Sequence, residues 1–204
     1  MSYRFEKIDE EISHRAGFLS LATVRYRGSD GAVIEREYVR HPGAVTVIPL
    51  CNDDTVLALW QFRAALGREV LEICAGKRDV AGEAPATTAE RELAEELGLA
   101  ARITVPLGVL VNSPGFTDEE THVFAAFGLS LISRDPQGIE ESSMRPSRFS
   151  LERFSTLVGA GALHDAKTIA SLAMLQSFLL SEPGRQLRSD AGEDSFSSSE
   201  FVLS

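Results

Sequence analysis

The ten residues ERELAEELGL, 90–99, decide the fold because they combine a helical apolar pattern with an unusual concentration of charge. Four glutamates fall within seven positions: Glu90, Glu92, Glu95 and Glu96. Side chains four positions apart on a helix lie about 5–6 Å from each other, and like charges at this spacing destabilise the helix by a few tenths of a kcal/mol. The segment is therefore either a solvated helix face or an incomplete site for a cation.

The segment also carries signals for where a helix starts and stops. Thr87 and Glu90 have the spacing of a capping box, and Gly98 suits a left-handed C-cap. On a period of 3.6 residues, the apolar positions share one face that would pack inward: Ala89, Leu93 and Leu97. The pattern predicts a helix with a buried apolar face and an acidic face.

The acidic face is suited to a metal ion. Glu92 and Glu96 share one stripe with Glu95 beside them, and Mg²⁺ or Mn²⁺ prefers such oxygen ligands. A glycine-bearing loop precedes the helix, and Arg91 is placed to pair with Glu83 or Glu95. These features favour a cation site over a solvated face.

Composition narrows the possible partners and location. The chain has 204 residues and a formal net charge of −10, which argues against nucleic acid or an anionic membrane as the main partner. Its two cysteines, Cys51 and Cys74, have no CxxC spacing, so a disulfide framework is not expected. No apolar leader or membrane-length apolar run is visible, and we expect a cytoplasmic protein.

Three zones follow one another along the chain. Residues 1–42 contain two strand-like runs joined by the turn sequence GSDG, which predicts an antiparallel β-hairpin that must pack on the main domain or on a second subunit. Residues 43–182 mix strand and helix patterns, which predicts an α+β or mixed α/β domain. Residues 183–204 are rich in Ser, Asp and Glu and are predicted to be a disordered tail.

The glutamate segment resembles the signature of Nudix hydrolases. Glu83, seven further residues and then RELAEELGL match that signature, whereas the loop from Gly76 to Glu83 has one residue more than usual. The resemblance implies an α/β/α sandwich that hydrolyses a nucleoside diphosphate linked to another moiety, by attack of water on phosphorus. It also implies Mg²⁺, or Mn²⁺ in its place, with two or more ions per site.

The resemblance implies roles for individual residues. It places the metal site at five positions: Ala75, through its carbonyl group, Glu83, Glu92, Glu95 and Glu96. Glu92 and Glu96 would be the principal ligands, and Glu95 a further ligand or a group that orients the attacking water. Arg91 would form a salt bridge with Glu83.

The flanking sequences resemble the ADP-ribose pyrophosphatase branch of the family. Five segments recur there in this order: RHPGAV, WQFRAALGREVLEICAGK, SPGFTDE, GIEESSM and DAKTIASL. Cys74 stands where the branch usually has proline. The branch implies substrate contacts at five positions: Trp60, Arg63, Glu72, Gly76 and Phe116. For Trp60 and Phe116 the alternative is a place in the core, and for Arg63 a salt bridge.

The branch also implies a catalytic glutamate on a later loop and a dimer. Glu140 aligns best with that glutamate, and Glu141 is next; either would orient or deprotonate the attacking water. The N-terminal strands would be exchanged across a homodimer and would help to build the substrate pocket. The implied reaction is hydrolysis of ADP-ribose to AMP and ribose 5-phosphate. Another nucleotide sugar, a dinucleotide, or a role as a non-catalytic ADP-ribose sensor are the alternatives.

Overall fold

The computed structural model describes residues 4–134 and 138–201, except the side chains of Glu140, Glu141 and Glu200. The strands are β1 (Phe5–Ala16), β2 (Leu19–Gly28), β3 (Val33–Arg40), β4 (Ala44–Pro49), β5 (Thr55–Arg63), β6 (Arg68–Glu72), β7 (Cys74–Lys77), β8 (Leu99–Val111), β9 (Glu120–Leu131) and β10 (Arg145–Ser150). The helices are α1 (Pro85–Leu97), α2 (Ile139–Ser142), α3 (Phe154–Gly159), α4 (Ala166–Leu180) and α5 (Glu182–Asp190). The predicted mixture of strands and helices is confirmed.

The chain divides into two compact units. The first contains the chain up to Ala44 together with Val111–Thr121, and the second contains Val45–Leu110 together with the chain from His122 onward. In the first unit the Val39 amide donates to the Phe116 carbonyl over 2.7 Å. The predicted boundary at residue 42 therefore misses a segment that is distant in sequence, which local patterns cannot reveal.

The first unit is built on a three-stranded antiparallel sheet in the order β1-β2-β3. The predicted hairpin corresponds to β2 and β3, and in its turn Asp30 accepts a hydrogen bond from the Ala32 amide over 3.0 Å. The strand β1 was not predicted, because its sequence is highly charged. Ala22 and Val24, on the central strand β2, are almost fully buried at 0% and 3% exposure.

The second unit contains two sheets, in the orders β7-β4-β9-β8 and β10-β5-β6. Every residue of β4 is buried, and its side chains alternate between two hydrophobic cores. Val45 and Val47 pack in the core that includes the apolar face of α1, whereas Ile48 packs in the core that includes α4. The sheet thus lies between helices, as the predicted sandwich requires.

Helix α1 differs from its prediction at the N-terminus. It begins at Pro85, and Ala84 caps it without a side-chain hydrogen bond, so the predicted capping box of Thr87 and Glu90 is wrong. Proline is well tolerated in a first helical turn, which lets the helix start before Thr87. The C-terminus is as predicted, because Gly98 has a φ of 63° in the left-handed region.

In its described part, residues 183–201, the C-terminal segment forms most of α5 and buries apolar side chains, which differs from the predicted disordered tail. After α5, Ala191 and Phe201 are only 1% and 5% exposed. The Asp194 carboxylate accepts hydrogen bonds from the amides of Asn52 and Leu129, each over 2.8 Å. The low average hydrophobicity of this segment concealed a few well-placed apolar residues. Among the described residues no helix has the length and apolar character to cross a membrane.

Candidate active site

The strand β7 and helix α1 meet where Gly76 faces Glu92. A Cβ atom added to Gly76 would lie 1.8 Å from Cδ of Glu92, so the Glu92 side chain would have to move from its position. The absence of a side chain at this position lets the backbone approach the carboxylate closely. Glycine at this position therefore leaves room for the Glu92 carboxylate, and its predicted role in binding substrate stays a prediction.

Glu96 lies against the same strand and is buried, at 3% exposure. The Ala75 amide donates a hydrogen bond to its Oε2 over 3.1 Å. Burial and the charge of Glu92 raise the pKa of Glu96, the Cys74 thiol and the Ala75 amide oppose the rise, and the resulting pKa is about 8. A carboxyl group in this setting gains strongly from a nearby cation.

Cys74 packs in the core that includes the apolar face of α1. It is fully buried with Ala89, Leu93 and Leu97, and its pKa is raised well above the usual range by burial and by the charge of Glu96. The thiol is therefore protonated near neutral pH. A nucleophilic role would require the thiolate, so the structure supports packing.

Arg91 connects three of the predicted glutamates. Its Nη1 lies 2.8 Å from Glu95 and 3.0 Å from Glu92, and its Nη2 lies 3.4 Å from Glu83. Glu83 also accepts a hydrogen bond from the Thr88 hydroxyl over 2.8 Å, and this bond, together with Arg91, lowers the pKa of Glu83. Both salt bridges that the sequence allowed, to Glu83 and to Glu95, are present.

The donors on this face have the chemistry that a hard divalent cation prefers. Glu92 and Glu96 present carboxylate oxygens next to Gly76 and Ala75 of β7. Within the described ranges no three His, Cys, Asp or Glu side chains are arranged to hold a metal ion. The contacts explain why: Arg91 contacts Glu92 and Glu95, whereas Glu96 is bonded to the backbone. The residues fit the cation, and their role as ligands stays a prediction.

Arg63 and Glu72, both predicted to bind substrate, bind each other. Nε and Nη2 of Arg63 donate to the two Glu72 oxygens over 2.7 and 2.6 Å, and Glu72 is 2% exposed. The pairing of β5 with β6 places Leu59 opposite Glu72 and Trp60 opposite Leu71. Since neighbouring side chains of a strand point to opposite faces, Trp60 lies on the other face of the sheet from Arg63.

The other predicted contacts are also dispersed. Trp60 has the guanidinium of Arg145 over its ring, 5.9 Å from the ring centre. Phe116 belongs to the first unit and is 60% exposed. The backbone of Glu140 and Glu141 forms part of α2, but their side chains lie outside the described residues.

Two charged residues at the start of α4 were missed by the sequence reasoning. Lys167 Nζ lies 3.2 Å from Asp165 and 3.8 Å from Glu72. Asp165 caps α4 by accepting a hydrogen bond from the Thr168 amide over 2.8 Å. The spacing of Asp165 and Thr168 is a recognisable helix start, but no local signal connects Lys167 with Glu72.

Comparison with known proteins places this arrangement in a family. The NUDIX domain model matches residues 40–172, and the chain belongs to this family. The fold and the glutamate helix are those of that class. A solved structure described as "Crystal structure of ADP compounds hydrolase" superposes with a TM-score of 0.77 over 91% of this chain and 97% of that chain, at 21% identity.

Sequence relatives share most of the chain. It is 34% identical to an ADP-ribose pyrophosphatase of Mycobacterium tuberculosis, over 82% of this chain and 81% of the relative. It is 37% identical to an ADP-ribose pyrophosphatase of Bacillus subtilis, over 72% of this chain and 79% of the relative. A methanol dehydrogenase activator of Bacillus methanolicus is 35% identical over the same shares.

Proposed function

We propose that the protein hydrolyses ADP-ribose to AMP and ribose 5-phosphate with the help of Mg²⁺ or Mn²⁺. The observation that carries the proposal is the packing of Glu92 and Glu96 of α1 against Gly76 and Ala75 of β7, in a member of the NUDIX domain family. The names of the two pyrophosphatases described above supply the substrate.

The proposed metal ligands are the carboxylates of Glu92, Glu96 and Glu95, with the carbonyl of Ala75 and the carboxylate of Glu83 as further donors. Two or more divalent ions held there would polarise the phosphoryl oxygens and lower the pKa of water. Arg91 would hold the carboxylates of Glu83 and Glu95 in fixed positions, because it forms a salt bridge with each. Glu95 would in addition orient the attacking water.

The substrate diphosphate is proposed to bind next to these carboxylates, at Arg63. Because Nε and Nη2 bind Glu72, the guanidinium is fixed and its Nη1 edge remains available for a phosphoryl oxygen. The role of Glu72 is therefore to position Arg63. Gly76 would let the backbone come close to the diphosphate, and Trp60 and Phe116 remain candidates for stacking on adenine.

The loop glutamate and the oligomeric state complete the proposal. Glu140, or Glu141 in its place, would orient or deprotonate the attacking water. A homodimer with exchanged N-terminal strands would bring residues of the partner to the nucleoside end of the substrate. We propose a cytoplasmic location.

A substrate screen tests the proposed function. ADP-ribose, ADP-glucose, GDP-mannose, diadenosine polyphosphates and 8-oxo-dGTP are each incubated with the protein in Mg²⁺ and in Mn²⁺, and products are separated by chromatography. We expect AMP and ribose 5-phosphate from ADP-ribose, at the highest kcat/KM of the set. Faster turnover of another compound would replace ADP-ribose as substrate. Binding of ADP-ribose without turnover of any compound would indicate a sensor.

Glu140→Gln and Glu141→Gln, measured separately in the same assay, rank the two loop glutamates. The variant that loses turnover while it retains binding of ADP-ribose identifies the residue that acts on water. Equal and nearly normal rates in both variants would remove this loop from the proposed chemistry.

A further inference from the structure

Two cations lie around one buried oxygen beside the candidate active site. Oε2 of Glu72 is 2.6 Å from Nη2 of Arg63 and 3.8 Å from Nζ of Lys167. The Glu72 side chain is only 2% exposed, whereas those of Arg63 and Lys167 are 35% and 25% exposed. The carboxylate is therefore shielded, and both cations can be reached from solvent.

Lys167 is held in this position from two elements. Asp165, which caps α4, contacts its Nζ with Oδ1 and uses Oδ2 for the Thr168 amide. The Thr168 hydroxyl accepts a hydrogen bond from the Ile73 amide over 3.1 Å. This bond fixes the start of α4 against the backbone between Glu72 and β7. Lys167 is thus placed by the same stretch of chain that supports Glu96 through Ala75.

Both cations keep hydrogen-bond donors that no described residue uses. Arg63 binds Glu72 through Nε and Nη2, and its Nη1 has no hydrogen bond within residues 4–134 and 138–201. Lys167 has three donors, one of which is used on Asp165 over 3.2 Å. Its distance of 3.8 Å from Glu72 is too long for a hydrogen bond.

We propose that Lys167 is a second phosphate-binding residue, which works with Arg63 to hold the diphosphate of the substrate. A diphosphate presents two linked anionic groups, and a guanidinium fork beside a compact ammonium group offers each of them a charged donor. Glu72 and Asp165 then act as positioning residues: Glu72 fixes Arg63 and Asp165 fixes Lys167, and each cation keeps hydrogen-bond donors for the substrate. This inference rests on the proposed function, because it assumes a diphosphate substrate.

The alternative is that Lys167 only balances the charge of buried Glu72, and substitution separates the two roles. For Lys167→Met we expect KM for ADP-ribose to rise about 10- to 100-fold, the range of a charge-assisted hydrogen bond, with kcat changed less than about threefold. Lys167→Arg should recover most of the affinity. Arg185→Met is the matched control, because it removes an exposed cation on α5 and should leave KM unchanged.

Direct binding gives a readout that does not depend on turnover. The probe is ADP-ribose in which a methylene group replaces the bridging oxygen of the diphosphate, titrated by calorimetry in Mg²⁺. We expect its Kd to rise with KM in Lys167→Met, while the affinity for adenosine, which has no phosphate, is unchanged. Thermal unfolding is followed in parallel, and Lys167→Gln replaces the methionine variant if that variant does not fold.

Unchanged KM and Kd in Lys167→Met would overturn the proposal, as would an equal loss of affinity for adenosine. Failure of the proposed function has a different signature, because the wild-type protein itself would then not hydrolyse ADP-ribose. In that case KM is measured on whichever diphosphate of the substrate screen is cleaved. If the wild-type protein cleaves none of them and does not bind the methylene analogue, both proposals are overturned.

Discussion

At the scale of single residues, Gly76 is in close contact with the glutamate helix α1. Its Cα lies so close to Glu92 that a methyl group would displace the carboxylate or the strand. A shift of about 1 Å in a catalytic group can reduce a rate about 100-fold. We predict a loss of that order in kcat/KM for Gly76→Ala, together with weaker binding of Mn²⁺ measured by electron paramagnetic resonance.

Gly159→Ala provides the control for this prediction. Gly159 has open space where a Cβ would be added, so the variant should keep wild-type activity and Mn²⁺ affinity. If Gly76→Ala behaved like Gly159→Ala in both measurements, the close approach of Gly76 to Glu92 would have no role in the site.

The raised pKa of Glu96 allows a prediction of how the free energy of unfolding depends on pH when divalent ions are removed. Burial and the charge of Glu92 raise the pKa of Glu96 to about 8, so between about pH 4.5 and 8 the unfolded chain has released a proton that the folded protein retains. The free energy of unfolding should therefore fall as pH rises through this window, by up to a few kcal/mol. Glu96→Gln cannot ionise and should show no such contribution.

Urea unfolding of both proteins in EDTA at pH 5, 6.5 and 8 measures this effect. The stability of the wild-type protein relative to Glu96→Gln should decrease with pH, and Mg²⁺ should restore it. A difference that does not vary with pH would contradict the raised pKa. In the activity assay Glu96→Gln should retain its fold and lose turnover, as expected for a principal metal ligand.

The sequence predicted side-chain contacts well where the two contacting residues are close along the chain. Arg91 pairs with Glu83 and Glu95 because all three lie on α1 or directly before it. Lys167 could not be linked to Glu72 in this way, because they are brought together only by the docking of α4 on the sheet. Trp60 was grouped with Arg63 by sequence alone, and the alternation of the strand separates them.

At the scale of elements, the C-terminal segment contributes to a core that also holds the glutamate helix. Phe201 is 5% exposed and packs in the same core as Leu93 and Leu97 of α1. Removal of a buried phenylalanine side chain typically costs about 3–5 kcal/mol. We expect the C-terminal segment to detach without unfolding the rest of the chain, and therefore predict a smaller loss, about 1–3 kcal/mol, for Phe201→Ala.

Chemical denaturation measures the loss, with Leu180→Ala as the matched control. Leu180 is 77% exposed at the end of α4, so its removal should change the free energy of unfolding by less than about 0.5 kcal/mol. Equal stability of Phe201→Ala and the wild-type protein would mean that the segment does not support the core.

Helices and strands could be predicted where apolar residues recur at a regular spacing and a residue that ends the element follows them. The buried face of α1 and its stop at Gly98 follow from the sequence, as do β8 and β9 from their β-rich runs. The strand β1 and the helix α5 were missed because both are short of apolar residues. Such elements are stabilised by contacts with other elements, which a local pattern does not contain.

At the scale of the whole molecule, the N-terminal sheet presents an exposed apolar surface. Its strands and their connection expose large apolar side chains: Phe5, Ile8, Phe18, Leu21 and Val33. Exposed apolar side chains grouped in this way are typical of a surface that a second subunit covers. We predict a homodimer, with twice the chain mass of 22.1 kDa in light scattering coupled to size-exclusion chromatography.

Substitution of Phe5 and Phe18 by serine should shift the mass to that of one chain and raise KM for ADP-ribose. Leu66→Ser is the control, because Leu66 is 58% exposed in the turn between β5 and β6 and belongs to the second unit. A wild-type protein with the mass of a single chain would refute the dimer.

The charge distribution of α1 has a consequence for how the chain acquires its structure during synthesis. Glu95 and Glu96 occupy the last turn, where the macrodipole of a helix is already negative; that turn contains no basic residue, and Arg91, one turn earlier, contacts Glu95. The isolated segment is therefore a poor helix in water. Its apolar face packs with Leu99, Phe124 and Leu129, which leave the ribosome after it. Helix α1 should thus form only once β9 has emerged, so that a ribosome-bound chain ending before residue 131 does not yet hold the proposed metal ligands in place.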